Sequence, residues 1–112
     1  MKKTYVINQQ MIDRYGVING DNDIIHYDHD YAVERGFKGT LAHGLMVSGY
    51  AVDMACQQWG KDFFYNGEID VRFRGPVIPG HEVEVTVEQG NCRAATQDGD
   101  ALVGSIGLRS QS

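Results

Sequence analysis

The amino-acid sequence predicts an α+β domain in which an antiparallel sheet of about five strands wraps around one long buried helix. Two patterns predict this class. One long apolar segment, residues 41–58, is typical of a helix, and the chain beyond it alternates apolar and polar residues with the period of a strand. The chain has 112 residues, of which 42% are hydrophobic, which is enough for one core. Residues 1–112 are therefore expected to form a single domain.

The charge balance excludes several classes of partner. Ten basic and fifteen acidic residues give a net charge of −5 when the histidines are neutral. Binding to nucleic acid or to an anionic membrane needs a clustered positive field, so neither is expected. Cys56 and Cys92 are too few for a disulfide framework. A polar stretch follows the N-terminal Met1-Lys2-Lys3, no secretory signal is visible, and a cytoplasmic location is expected.

The N-terminal third is expected to hold a strand and two helices. A short strand is predicted over residues 4–8, and Asn8 suits the N-cap of a helix over about residues 9–18. A polar loop follows, and Asp28 can cap a short helical segment around residues 31–35.

The apolar segment is predicted to be the central helix. Between residues 42 and 58 the one formal charge is Asp53, and apolar side chains cover nearly the whole helix circumference. A helix that is apolar all round is buried, in a protein core or in a membrane. His43, Gly44 and Ser48 interrupt the segment, which falls short of the roughly 18 clean apolar residues of a membrane span. Burial in the core is the favoured interpretation.

The rest of the chain is predicted to be antiparallel strands. They are expected over residues 69–74, 82–88, 91–97 and 100–109. The dipeptide Asp98-Gly99 lies between the last two strands and is a strong hairpin signal. A small curved sheet leaves unpaired edges that a second copy of the chain would cover, so a homodimer is expected.

The loop after the first helix holds the first candidate site. Asp21 and His26 are five residues apart, and a turn can bring both side chains to one volume, where they could hold and deprotonate a water molecule. Alternatively, Asp21 shapes the turn and His26 is a structural or surface residue. A metal site is not expected, because the nearby His26, Asp28, His29 and Asp30 lack the spacing of helical zinc motifs.

The start of the central helix is the second candidate site. A helix N-terminus carries unpaired N–H groups and a partial positive charge. Gly44 has no side chain, so a substrate carbonyl could approach those groups and gain stabilisation as an oxyanion. The alternative is equally open: Gly44 permits tight packing, and His43 caps the helix.

Three ordered motifs together resemble the MaoC-like, R-specific enoyl-CoA hydratase family, which has the hotdog fold. Residues 20–26 read GDNDIIH against the family's G-D-x-N-P-[LIV]-H, and residues 71–83 read VRFRGPVIPGHEV against V-x-F-x-x-P-V-x-x-G-D-x-V. A third pattern is formed by Ala32, Gly36, Phe37, Ala42, His43, Gly44 and Leu45. The resemblance covers about residues 4–109. Asp23-Ile24 replaces the family's Asn-Pro, and His81 replaces an Asp.

The resemblance implies a reaction. Asp21 and His26 would activate a water that adds to C3 of a trans-2-enoyl thioester, and the reverse reaction would be a dehydration. The Gly44 amide would bind the thioester oxygen, with His43, Leu45 and Met46 also binding substrate. The substrate would be carried by coenzyme A or by an acyl carrier protein, without a cofactor or a metal.

Two other functions stay open. The hotdog fold also supports thioesterases, which use a carboxylate on or near the central helix, and Asp53 is the candidate for that role. The chain could also bind acyl thioesters without turning them over, because Asp23-Ile24 departs from the family pattern.

Overall fold

One antiparallel sheet carries the core of the protein. The computed structural model describes residues 1–109, so residues 110–112 of the predicted domain lie outside the described residues. The strands are β1 (Lys2–Val6), β2 (Gly67–Phe73), β3 (Glu82–Glu88), β4 (Asn91–Thr96) and β5 (Gly99–Leu108). They lie in the order β1-β3-β4-β5-β2, and each neighbouring pair is antiparallel. The prediction of an α+β fold with five strands is confirmed.

The alternating pattern of β3 decides which face of the sheet is buried. Its buried side chains are Val83, Val85 and Val87. The glutamates between and beside them are exposed, so one face of the strand meets the core and the other meets solvent. The β4–β5 hairpin is also present. Gly99 begins β5 with a φ of 120°, which glycine adopts readily, so the hairpin signal at Asp98-Gly99 is explained.

Side-chain caps begin the two helices of the N-terminal third. The Asn8 side chain accepts a 2.9 Å hydrogen bond from the amide three residues on and begins α1 (Gln9–Asn19). The Asp28 side chain does the same at 3.1 Å for α2 (His29–Glu34). Both predicted caps are confirmed. Because Asp28 is the cap, α2 begins two residues earlier than the predicted segment.

The apolar segment forms α3 (Gly44–Trp59), which packs one face on the sheet. The buried residues of that face are Met46, Val47, Ser48, Ala51, Met54 and Ala55. Burial all round was expected, but Leu45 is 61% exposed, and Gly49 and Asp53 are also exposed. The sheet covers one side of the helix, which leaves the opposite stripe uncovered. Within residues 1–109, no helix combines the length and apolarity needed to cross a bilayer.

A further helix that the sequence pattern does not predict, α4 (Lys61–Asn66), returns the chain to β2. Gly60 separates it from α3 with a φ of 61°, and this residue lets the chain change direction without a helix-breaking proline. The arrangement leaves β2 at the sheet edge with apolar side chains uncovered. We call Leu45, Ile69 and Phe73 the edge surface; they are 61%, 37% and 55% exposed.

Candidate active site

Local hydrogen bonds shape the loop that carries Asp21 and His26. Gly20 ends α1 in the left-handed conformation, with a φ of 81°. Asp21 Oδ1 then accepts a 3.0 Å hydrogen bond from the Asp23 amide. Asp23 Oδ1 in turn accepts a 3.1 Å bond from the Ile25 amide and begins the short 3-10 turn that ends at His26. These are turns that aspartate forms readily, and they bend the chain back on itself.

The bent loop brings the carboxylate and the imidazole together. Asp21 Oδ2 lies 3.5 Å from His26 Nε2. His26 Nδ1 lies 2.7 Å from the Leu41 carbonyl, which can only accept, so Nδ1 carries the proton of the neutral ring. Nε2 is then an acceptor that faces another acceptor. A water molecule that donates one hydrogen to each atom satisfies both, so the pair is suited to hold a reactive water.

Asp21 is held in its ionised form. Its pKa is lowered, first by the hydrogen bond from the Asp23 amide and also by the neighbouring His26 and His43, while desolvation opposes the shift. The Asp21 side chain remains 43% exposed, whereas that of His26 is 11% exposed. At neutral pH the carboxylate therefore accepts hydrogen bonds and does not donate them.

His43 lies directly against His26. The two rings stack with their centroids 3.8 Å apart and their planes 20° from parallel. His43 occupies the expected N-cap position of α3, but its side chain makes no cap hydrogen bond, so the ring does not serve the helix end. Its pKa is lowered, first by burial and then by the charge of His26. His43 is therefore neutral near pH 7, and it does not repel a proton on His26.

Tyr27 connects His43 to the loop, and the sequence analysis did not identify it as part of the site. Its hydroxyl donates to the backbone carbonyl of Asp21 and lies 3.2 Å from His43 Nε2. The hydroxyl occupies space beside Gly16 that a Cβ would fill. The one sequence signal for this contact was Gly16, because a glycine inside a helix often marks a place where another group packs closely against the backbone.

Gly44 packs closely against β2 and has an amide without a hydrogen-bond acceptor among the described residues. A Cβ at this position would lie 2.9 Å from Cε1 of Phe73, so the missing side chain permits close packing against β2. Gly44 is also the first residue of α3, and among residues 1–109 no acceptor takes its amide hydrogen. The amide is therefore available to an oxygen that enters the cavity beside it.

The candidate residues share one cavity of about 620 Å³. Asp21, His26, His43, Gly44 and Leu45 all contribute to its wall. The remaining wall is mostly apolar and includes Phe37, Leu41, Ala42, Val47, Phe73, Pro76, Val77 and Ala101. A mostly apolar cavity with a few polar groups in its wall is the usual form of a small-molecule site.

Met46 is the exception among the predicted site residues. It is 6% exposed, belongs to the hydrophobic core, and is not part of the cavity wall that residues 1–109 form. At about 100° per residue, Leu45 and Val47 lie on either side of Gly44 around the helix, whereas Met46 points away from Gly44 on the opposite side. Val47 lines the cavity instead. The structure therefore does not place Met46 on the cavity where the acyl chain was expected to lie.

The sequence family can now be assigned. Residues 1–107 match the protein family described as the MaoC like domain. The chain belongs to this family. The match spans nearly all of the described residues and confirms the resemblance carried by the three motifs.

Relatives of the MaoC-like chain include two much longer proteins. The peroxisomal multifunctional enzyme type 2 of Drosophila melanogaster is 34% identical over 70 residues, which are 61% of this chain and 12% of that protein. The enzyme of the same name from Mus musculus is 32% identical over 87 residues, or 76% of this chain and 11% of that protein. The chain thus spans about a tenth of the length of these relatives.

A solved structure confirms the hotdog fold of the MaoC-like chain. The (R)-hydratase from A. caviae involved in PHA biosynthesis superposes with a TM-score of 0.79 at 19% sequence identity. The superposition covers 99% of this chain and 93% of the hydratase. At this identity the likeness establishes the fold alone.

Ring stacking bears on whether the site of this MaoC-like chain could chelate a metal. Asp21, His26 and His43 each have a potential ligand atom within 4.8 Å of the others. Metal binding requires the lone pairs of both imidazoles to converge on one point, but each lone pair lies in its own ring plane, and the two stacked planes are only 20° from parallel. His43 Nε2 also lies 3.2 Å from the Tyr27 hydroxyl. The arrangement fits a hydrogen-bonded water better than a chelated metal.

Asp53 lies away from these residues. It is on the exposed stripe of α3, and its Oδ2 accepts a 2.9 Å hydrogen bond from the Gln57 side chain. Among the described residues, Asp53 is not part of the cavity wall. The carboxylate that a thioesterase would need is therefore separate from the cavity in this chain.

Proposed function

We propose that this chain hydrates trans-2-enoyl thioesters to 3-hydroxyacyl thioesters and catalyses the reverse dehydration. One observation carries the proposal: two facing acceptors, Asp21 Oδ2 and His26 Nε2, lie 3.5 Å apart on the wall of an apolar cavity that Gly44 also lines. The R configuration of the product is proposed by analogy with the A. caviae (R)-hydratase.

The water held by the pair would react in two proton transfers. Its oxygen forms a bond to C3 of the substrate while its proton moves to His26 Nε2. The electrons of the C2–C3 double bond move toward the thioester, whose oxygen becomes an enolate oxyanion. The proton on His26 then passes to C2. One molecule of water has been added, and both side chains return to their starting forms.

The charges around the pair suit these transfers. Asp21 is ionised because the Asp23 amide and the nearby histidines lower its pKa, so it can orient the water and stabilise His26 while that ring is protonated. His43 stays neutral because burial lowers its pKa, and the stacked ring adds no opposing charge.

The start of α3 would stabilise the enolate. The Gly44 amide has no acceptor among residues 1–109, and it lies at the positive end of a 16-residue helix. A backbone donor aimed at a developing oxyanion in an apolar cavity is worth far more than the same donor in water. The acyl chain would then lie along the apolar wall past Leu45 and Val47.

We also propose that two copies of the chain associate through the edge surface. Leu45 and Phe73 belong both to this surface and to the cavity wall, so one side of the cavity is open to solvent in a single copy. A second copy placed on β2 would cover those side chains and enclose the substrate.

Sedimentation of an edge-surface variant tests the association. Ile69→Asp places a charge on β2 and is expected to give monomers at concentrations where the unmodified chain is dimeric. Val17→Asp is the matched control, because Val17 is 85% exposed on α1 and outside the edge surface. A dimeric Ile69→Asp variant, or a monomeric unmodified chain, would contradict this proposal.

Steady-state hydration of crotonyl-CoA, followed by loss of its conjugated double bond, tests the reaction. Asp21→Asn and His26→Ala are each expected to lower kcat by about 10²–10⁴-fold, the usual contribution of acid–base catalysis. Asp30→Asn and His29→Ala are matched controls, because both residues are exposed on α2 outside the cavity. Acyl-carrier-protein and longer enoyl-CoA substrates are assayed in parallel.

Four results would refute the proposed reaction. The unmodified chain could fail to hydrate enoyl thioesters of every length and carrier. The Asp21 and His26 variants could retain full activity. Release of free thiol without hydration would identify a thioesterase, and a rise in melting temperature with unconsumed acyl-CoA would identify a binding module.

A further inference from the structure

Tyr27 is half-buried between α1, the Asp21 loop and the start of α3, and it does not line the cavity that residues 1–109 form. Its hydroxyl nevertheless contacts two groups of the candidate active site. It donates its one hydrogen to the Asp21 backbone carbonyl, and it lies 3.2 Å from His43 Nε2.

The direction of these hydrogen bonds determines the tautomer of His43. A backbone carbonyl can only accept, so the Tyr27 hydrogen is committed to Asp21 and the hydroxyl oxygen accepts from His43. His43 therefore carries its proton on Nε2. Its Nδ1 is buried and has no hydrogen-bond partner among the described residues. The Asp21 backbone carbonyl is a second acceptor beside the His43 ring, and the Tyr27 hydroxyl bonds to both this carbonyl and His43 Nε2, so the hydroxyl links the ring to the loop.

We propose that Tyr27 is a positioning residue: its hydroxyl fixes the tautomer and orientation of His43 and the backbone position of Asp21, and thereby sets the geometry of the water site. The ring of His43 stacks on that of His26 at 3.8 Å, so a rotated His43 would no longer support the ring that faces Asp21. The effect on catalysis rests on the proposed hydratase function, whereas the effect on His43 does not.

Gly16 makes this arrangement possible. A Cβ at position 16 would overlap the Tyr27 hydroxyl, so any larger residue there would displace the oxygen from between His43 and Asp21. Gly16 lies inside α1, where glycine is less favourable than alanine by about 1 kcal/mol in intrinsic propensity. The close approach of the hydroxyl is a physical reason for glycine at a position where the helix alone favours alanine.

Tyr27→Phe tests the proposal because it removes one oxygen and keeps the ring. We expect kcat for crotonyl-CoA to fall about tenfold to a hundredfold, since small displacements of catalytic groups reach that size, with KM little changed because Tyr27 is outside the cavity. In ¹⁵N spectra of the histidine rings, His43 is expected to be protonated on Nε2 in the unmodified chain and to become a mixture of tautomers in the variant.

Tyr15→Phe is the matched control. Its ring packs against the same His43, with centroids 5.0 Å apart, but its hydroxyl contacts the Asn19 side chain at 3.4 Å and neither His43 nor Asp21. The control is expected to keep kcat and the His43 tautomer. Gly16→Ala is the second test, because it displaces the Tyr27 hydroxyl without altering that residue. Its kcat and ring spectra should resemble those of Tyr27→Phe.

The two readouts separate the two proposals. A His43 ring protonated on Nδ1 in the unmodified chain would overturn the positioning role. So would a Tyr27→Phe variant with unchanged kcat and an unchanged ring spectrum. A tautomer change confined to Tyr27→Phe and Gly16→Ala, in a chain that hydrates no enoyl thioester, would support the positioning of His43 and refute the proposed reaction.

Discussion

Replacing Gly44 with alanine would separate the packing role of this residue from its proposed role at the oxyanion. The new Cβ would lie 2.9 Å from Cε1 and 3.0 Å from Cζ of Phe73. Overpacking costs about 1–3 kcal/mol of stability in general. Phe73 is 55% exposed and can turn outwards, so we expect a loss near the low end, about 1 kcal/mol, or a fall of about 4 °C in melting temperature.

The expected loss of activity is much larger. A methyl group at Gly44 would crowd the approach of the substrate oxygen to the amide, and losing one oxyanion donor lowers kcat by about 10²–10³-fold. The assay is hydration of crotonyl-CoA, with thermal unfolding measured on the same samples. Phe73→Ala, alone and combined with Gly44→Ala, completes a double-mutant cycle.

The two roles predict different outcomes for the double variant. If the amide must be reached by substrate, removing the Phe73 ring relieves the stability loss caused by Gly44→Ala but leaves activity low. If activity returns together with stability, Gly44 serves packing alone, and the assignment of its amide to the oxyanion is refuted.

Three further predictions concern other contacts. The pKa of the Asp98 carboxyl is lowered, first by the hydrogen bond from Lys38 and also by His81. The ionised carboxylate therefore stabilises the fold, and this stabilisation is complete at any pH above the pKa of an unfolded aspartate, about 3.9. That stabilisation is lost as the pH falls through the lower pKa of Asp98 in the folded chain. The melting temperatures of the unmodified chain and the Asp98→Asn variant should therefore converge as the pH is lowered. A difference that stays constant with pH would contradict this. Ala101→Val narrows the cavity and should lower kcat/KM for long enoyl thioesters more than for crotonyl-CoA, whereas an equal fall would place the acyl chain elsewhere. Asn8→Ala removes the α1 cap and should lower the free energy of unfolding in urea by about 1 kcal/mol; an unchanged midpoint would contradict its role.

Local features of the fold were predictable because their causes lie within a few residues of one another. The Asn8 and Asp28 caps each bond to an amide three residues on. The alternating valines of β3 indicate a strand with one buried face. The proximity of Asp21 and His26 is of the same kind, because turns formed by Asp21 and Asp23 bend a six-residue loop. The roles of these two side chains in catalysis remain predictions.

Long-range features were not predictable in the same way. Apolar side chains all round α3 indicate that the helix is buried. They do not indicate whether the sheet of the same chain or a second copy of the chain buries each side. In the single chain, Leu45 is exposed. The family resemblance implied that Met46 binds substrate, whereas its position around the helix directs it to the core. The helix α4 follows a glycine rather than a capping side chain, so the usual start signal is absent.

The sequence by itself determined the α+β class, the strand pattern, the central helix and the loop that holds a carboxylate beside an imidazole, because each depends on periodicity or on neighbours along the chain. The tertiary structure decided which side chains meet in the cavity: His43 stacks on His26, and Tyr27 fits against Gly16. Those contacts join residues that are 11 to 17 positions apart on separate helices and loops. Their geometry depends on how the loop that carries His26 and Tyr27 lies against α1 and the start of α3, which no local pattern encodes.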